Sequence, residues 1–262
     1  MPKRIFNLKP SKEDKRDTLL ETVYYSAVPL PKKYDLRKQL PGIRDQGKQG
    51  TCSAQTAACM KEWQESVEVQ FDKHMSPQFV YNLRKNYGRA GMTPRDTMKI
   101  LNQVGIVSEK NYPYGKKEDL DIKNLDTKLK KLASNYKITS YAKINTIDSL
   151  KKALFANGPC YIAFPVYNPD DLEFWKPKYP GQKSQGGHAV TVTGWTKDAF
   201  IIRNSWSTLW GDSGYTYYKF KDWGMHWELW TTLDADSEQT KLNKKVKKEV
   251  SFFRRLFYST NK

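Results

Sequence analysis

Residues 45–60 read DQGKQGTCSAQTAACM. Gly47 and Gly50 break the chain just ahead of a run that is first small and then amphipathic. Ala57, Met60 and Val67 recur among polar neighbours in it, which predicts a helix over 51–69. Cys52 therefore stands where a helix begins. A helix start presents unpaired N–H groups and the positive end of the peptide dipoles. That setting lowers a thiol pKa and favours the thiolate, the reactive form. The same N–H groups can hold a developing oxyanion, and Gln46, beyond the glycine turn, offers a side-chain amide as second donor.

Outward from this segment the chain divides into helices first and strands second. Residues 93–104 predict a helix with Thr93 as N-cap, Pro94 in the first position and Gly105 as its stop. Residues 146–157 predict another, capped by Thr146 and ended by Gly158-Pro159. CYIAFPVY (160–167), HAVTVTGW (188–195), AFIIRNSW (199–206) and GYTYYKF (214–220) are short, β-branched or aromatic, and bounded by turn residues. This order predicts an α+β fold of two lobes meeting at a cleft. Cys59 lies inside the first helix and Cys160 opens an apolar strand; both read as core filling.

Three histidines compete to partner Cys52. His188 follows a glycine turn in SQGGHAVTVTGW, His74 lies in a polar connection, and His226 in an aromatic loop. Glycines beside His188 allow a backbone to approach closely. Asn204 ends an apolar strand just before Trp206. A catalytic base needs a third group to fix its ring, and an Asn oxygen can accept the imidazole N–H under the cover of the indole. On position alone, a surface or core histidine and a turn asparagine remain equally open readings.

Composition sets the limits. Aromatics make up 13% of the 262 residues, which argues for a packed body. The formal charge of +17 suits polyanions, though solubility alone explains it as well. MPKRIFNLKPSKEDKRD at the N-terminus lacks the apolar stretch of a cleaved secretory signal. Three cysteines make no disulfide framework. Together these predict an intracellular protein, or one packaged in a particle such as a virion, with no transmembrane segment. Scattered His and Cys residues lack metal-ligand spacing, so no metal or cofactor is expected.

Taken together the segments resemble the papain-like cysteine peptidases, cathepsins included. LPKKYDLR (30–37) is similar to the start of a mature family enzyme, Gln46-Gly47 to the family's oxyanion glutamine, and QVGIVSEKNYPY (103–114) to its helix-to-loop passage. GGHAVTVTGW and RNSWSTLWGDSGY carry the histidine and asparagine segments, and Cys, His and Asn come in the family's order and spacing. The resemblance spans roughly 30–235. It implies a helical N-terminal lobe (about 48–130) and a β-barrel lobe (about 131–235 plus 31–47), with the active site between them.

It further implies that Cys52 attacks the scissile carbonyl, His188 shuttles the proton, Asn204 orients His188, and Gln46 with the Cys52 N–H holds the oxyanion. A thiolate–imidazolium pair is expected at rest, with Trp206 over the His–Asn bond. Gly91, Met92, Gly187 and Trp210 are the implied substrate-binding positions. The chain departs from the family at Gln49 and Ser53, where Cys and Trp are usual, and at Met92, which replaces a glycine. The missing disulfides match a viral or prokaryotic type. No long propeptide is expected: residues 1–30 are a basic packing arm or a short propeptide lying in the groove. Residues 236–262 form a basic and aromatic tail suited to nucleic acid, an anionic surface or a partner protein of a particle. Two functions follow: an active endopeptidase, or a papain-fold particle component with little activity.

Overall fold

The computed structural model describes residues 4–23, 29–69, 74–85, 91–115 and 125–233. The tail at 236–262, with the polyanion contact expected of it, lies outside the described residues. In chain order the elements are α1 (Leu20–Val23), β1 (Tyr34–Asp35), α2 (Cys52–Val69), α3 (Pro77–Asn82), α4 (Pro94–Gln103) and α5 (Thr127–Ser134). Then follow β2 (Ser140–Lys143), α6 (Ile147–Asn157), β3 (Cys160–Val166), β4 (Gly186–Trp195), β5 (Ala199–Arg203), β6 (Tyr215–Lys219) and β7 (Glu228–Leu233).

The helices begin where their caps say they must. The side chains of Thr93 and Thr146 accept from Asp96 N and Ser149 N, and Pro94 occupies the first position of α4. Ser76 caps the short α3 in the same way, again with a proline next to it. α2 is the structural axis. Residues 52–65 are all buried, although many are polar. Each charge there has a partner, as burial demands: Glu62 meets Arg44 at 2.7 Å and Lys61 meets Glu65 at 2.6 Å. Gln64 reaches across to Thr232 at 2.7 Å and ties α2 to β7.

The strands make one antiparallel sheet in the order β2-β7-β3-β4-β5-β6, with β1 added against β4. β3 and β4 are buried on both faces, which is why they read as near-continuous apolar runs. One core cluster lies on the sheet side, with Trp175, Trp195, Phe164 and Val190. A second fills the helical side, with Phe79, Leu101 and Ile106. Between the two, Cys52, Met60, Met98, Tyr161, Ala163, Ala189 and Trp230 form a seam, and Leu8 from the N-terminal segment is packed into it. The fold is the α+β, two-lobed arrangement of the papain type.

Candidate active site

Cys52 is the first residue of α2, and His188 sits near the start of β4, paired across the ladder with Phe164. Asn204 follows the end of β5. The sheet thus places His188 and Asn204 on adjacent strands, and α2 packs on the β4 side, bringing Cys52 to the same seam as Ala189. His188 Nε2 lies 2.8 Å from Asn204 Oδ1. An amide oxygen only accepts, so Nε2 carries the hydrogen and Nδ1 is the basic nitrogen of the neutral ring. Nδ1 is buried and has no hydrogen-bond partner among the described residues. Asn204 Oδ1 also accepts from Ser205 N at 2.8 Å, which fixes the amide. Trp206 stacks on the imidazole at 4.4 Å between centroids, the shielding position expected of it.

Gln46 is buried and held from both ends. Its Oε1 accepts from Ser205 Oγ at 2.8 Å, and Nε2 donates to Gln49 O at 3.0 Å. One N–H of that amide group is left for an incoming oxygen. Ser205, within the asparagine segment, is a positioning residue that sequence reading passed over. Ser53, where the family usually has Trp, bonds to Thr97 Oγ1 at 2.5 Å and to the Tyr161 hydroxyl at 2.7 Å. These buried hydroxyls brace the residue next to Cys52 from α4 and β3.

The other candidates fall outside the site. His74 pairs with Glu62, and His226 bonds to the Tyr218 hydroxyl inside an aromatic cluster. Cys59 and Cys160 are buried free thiols in the core, and burial pushes both upward, Cys160 to about 12.

Residues 4–17 cross the groove above these groups. Arg4 lies at the rim formed by Asp45 and Trp206. Phe6 sets its ring edge against His188 and Trp206. Leu8 bridges Gly187 in antiparallel fashion and fills the seam beside Cys52. Lys9 N donates to Met92 O at 3.2 Å. Ser11 N donates to Glu228 Oε1 at 2.7 Å, and Asp17 grips Arg95 through two bonds. The glycines now have a physical reason. A Cβ at Gly50, Gly91 or Gly186 would strike Asn7 or Phe6, and one at Gly187 would strike the Trp227 ring and then Leu8 O at 2.5 Å. They line the path of an extended backbone. Gly91, Met92 and Gly187 thus touch the arm directly, whereas Trp210 is buried behind Trp206 at 5.3 Å and supports it.

Burial dominates the electrostatics of the pair, and of the arm Arg4 alone adds its charge. Burial pushes the Cys52 thiol up to about 11, against the pull of the N–H groups of Ala189, Ser53 and Cys52 itself. Burial also brings His188 down to about 3; the bond to Asn204 opposes this and the charge of Arg4 adds to it. Both shifts run against the thiolate–imidazolium pair expected at rest. Desolvation by burial favours the neutral form of each group.

A family model described as papain family cysteine protease matches residues 30–226. The chain belongs to the papain family of cysteine proteases. It is 28% identical over 221 residues to a cathepsin L-like proteinase of Phaedon cochleariae, covering 75% of this chain and 62% of that one. It is 27% identical over 210 residues to peptidase 1 of Dermatophagoides farinae, covering 74% of this chain and again 62% of the relative. The chain thus spans just over three fifths of the length of these curated relatives. Among solved structures it is similar to xylellain, a cysteine protease from Xylella fastidiosa. There the TM-score is 0.70 and the identity 26%, over 87% of this chain and 96% of that one.

These relatives correct the expected location. They are cathepsin-like, mite and plant peptidases, mostly secreted or lysosomal, and not cytoplasmic or virion proteins. The cysteine count misled because all three thiols are buried and shielded by the fold, so their number does not report on the compartment.

Proposed function

We propose that the chain is a cysteine endopeptidase that works through Cys52, His188 and Asn204, and that residues 4–17 hold it latent. The observation that carries this is the fixed tautomer of His188. Its Nε2 hydrogen is committed to Asn204, which leaves Nδ1 free to take the proton of the Cys52 thiol. The thiolate then attacks the scissile carbonyl. The oxyanion is met by the remaining N–H of Gln46 and the backbone N–H of Cys52. His188 returns its proton to the departing amine, leaving a thioester on Cys52. Water activated by His188 hydrolyses that ester and restores the thiol.

Latency follows from the position of the arm. A substrate needs the backbone edge of Met92 and the glycine-lined path that the arm occupies. The free thiols, together with the likeness to xylellain, support a disulfide-poor, prokaryotic type of family member. The test is hydrolysis of a diverse peptide pool by the full chain and by Cys52→Ala, with products read by mass spectrometry. Cleavage lost in Cys52→Ala is the expected result. Cleavage retained by Cys52→Ala, or absent from the wild type and from arm-weakened variants alike, overturns the reading.

A further inference from the structure

The arm's first described residue is held more elaborately than a surface contact requires. Arg4 Nη1 lies 2.5 Å from Asp45 Oδ1 and 3.4 Å from Gly47 O, and Nη2 lies 3.2 Å from Trp206 O. The guanidinium carbon stands 5.7 Å from the centre of the Trp206 ring. Its side chain is only 8% exposed. A carboxylate, two backbone carbonyls and an indole thus surround one planar cation. All four belong to the body of the enzyme, and none to the arm.

The receptor is built independently of its occupant. Asp45 Oδ1 also accepts from Gly47 N at 2.9 Å, which fixes the carboxylate. Asp45 bridges Trp206 in antiparallel fashion, Gln46 N donates to Ser205 O, and Ser207 N donates to Arg44 O. Ser207 itself is held at φ 67°, turning the chain directly after Trp206. The strip that carries the oxyanion glutamine and the strip that carries the shielding tryptophan are therefore laced together. The carboxylate and the carbonyls of Gly47 and Trp206 are fixed by that lacing.

Its place in the groove gives it a role. Trp206 stacks on His188, and His188 hands a proton to the departing amine. The Trp206 rim therefore lies on the amine side of the scissile bond. Phe6, which covers His188, stands two residues from Arg4, and two extended residues span about 7 Å. We infer that Asp45, Gly47 and Trp206 form a guanidinium subsite that selects substrates with an arginine two or three residues beyond the scissile bond on its amine side. This rests on the peptidase reading and adds the substrate class. Arm and substrate compete for it: Arg4 fills the subsite in the latent form, and a substrate arginine replaces it.

Arginine is preferred over lysine for a geometric reason. The planar fork reaches the carboxylate and both carbonyls at once while lying on the indole, whereas an ammonium is a point charge that satisfies fewer of them. Asp45 is 43% exposed, so solvent screening keeps the gain moderate, of the order of three- to tenfold in kcat/KM.

The experiment uses the full chain carrying Arg4→Gln, in which the arm no longer fills the receptor. Matched peptides carry arginine, lysine or citrulline at the second or third position past the cleaved bond. Citrulline keeps the shape and removes the charge. The ratio of kcat/KM for arginine over citrulline is read, because it does not depend on the fraction of open enzyme. The expected order is arginine, lysine, citrulline at one of the two positions, with the ratio falling to about one in Arg4→Gln/Asp45→Asn. Arg4→Gln/Asp45→Arg is expected to prefer glutamate there instead. Thiol-dependent cleavage with equal rates for arginine and citrulline at both positions overturns the subsite and leaves the peptidase reading standing. No cleavage of any peptide by any of these proteins overturns both.

Discussion

The proposed latency turns on Leu8. It is 3% exposed and lies in the seam with Cys52, Met98, Ala163 and Trp230. Taking a leucine side chain fully out of water is worth about 1.5–3 kcal/mol. Leu8→Ala keeps one carbon of that side chain, so the loss is about 2 kcal/mol. The arm is free to leave, so no trapped cavity adds to that figure. At 1.4 kcal/mol per factor of ten, the open fraction rises roughly 25-fold. The assay is the rate at which a limiting thiol-directed epoxide labels Cys52, mapped by mass, because that rate scales with the open fraction. A circular dichroism melt run alongside separates arm release from loss of the fold. Labelling of Leu8→Ala within twofold of wild type, with the fold intact, refutes the idea that the arm controls access.

Three further outcomes follow from the same geometry. Gly91→Ala places a Cβ against the Asn7 carbonyl at a φ of 92°, so it is expected to speed Cys52 labelling while lowering kcat/KM, because substrate uses the same edge. No change in either quantity would separate Gly91 from the groove. Ser53→Ala leaves the hydroxyls of Thr97 and Tyr161 short of a buried partner. It is expected to destabilise the fold by about 1–3 kcal/mol, read as a lowered denaturation midpoint.

The arm also responds to pH. With the arm closed, His188 takes a proton only near pH 3, whereas an exposed ring titrates near its ordinary 6.5. Between those values the open form binds a proton that the closed form does not, so falling pH opens the arm. Cys52 acts at the other end: closed it titrates near 11, whereas in the open form the helix-start N–H groups hold the thiol lower, so rising pH also opens the arm. Hydrogen exchange of the Lys9 amide, which donates to Met92 O, is expected, once corrected for its intrinsic rate, to be slowest near neutral pH and to quicken toward both acid and alkali. A flat profile contradicts the linkage.

The parts legible in the sequence were those encoded locally. α4 and α6 announced themselves through caps and glycine stops, α2 through the glycines ahead of it and its apolar spacing, and β3 to β6 through apolar runs set off by turns. The candidate catalytic segments were legible together and not singly: a thiol at a helix start, a histidine after two glycines and an asparagine ahead of a tryptophan each left a structural reading open, and their order and spacing carried the resemblance. What escaped was whatever depends on distant pairing. α3 has six residues and β2 four, too short to show a period. β7 went unread, and the contact of its Glu228 with Ser11 spans most of the chain. The arm looks like a solvated, charged lead. Its one signal is the alternation of Phe6 and Leu8, and that pattern gains meaning only once the glycine-lined groove exists to receive it. Arg4 and Asp45 illustrate the same limit, since neither residue marks the other in sequence.

The central claim is that His188 activates Cys52. The measurement that tests it most directly is epoxide labelling of the Leu8→Ala chain, with and without His188→Ala, followed by mass mapping of all three cysteines. The account predicts that Cys52 alone is labelled at neutral pH, and that labelling disappears when His188 is removed. Equal labelling of Cys52 without His188, or labelling of Cys59 or Cys160 in its place, would contradict it.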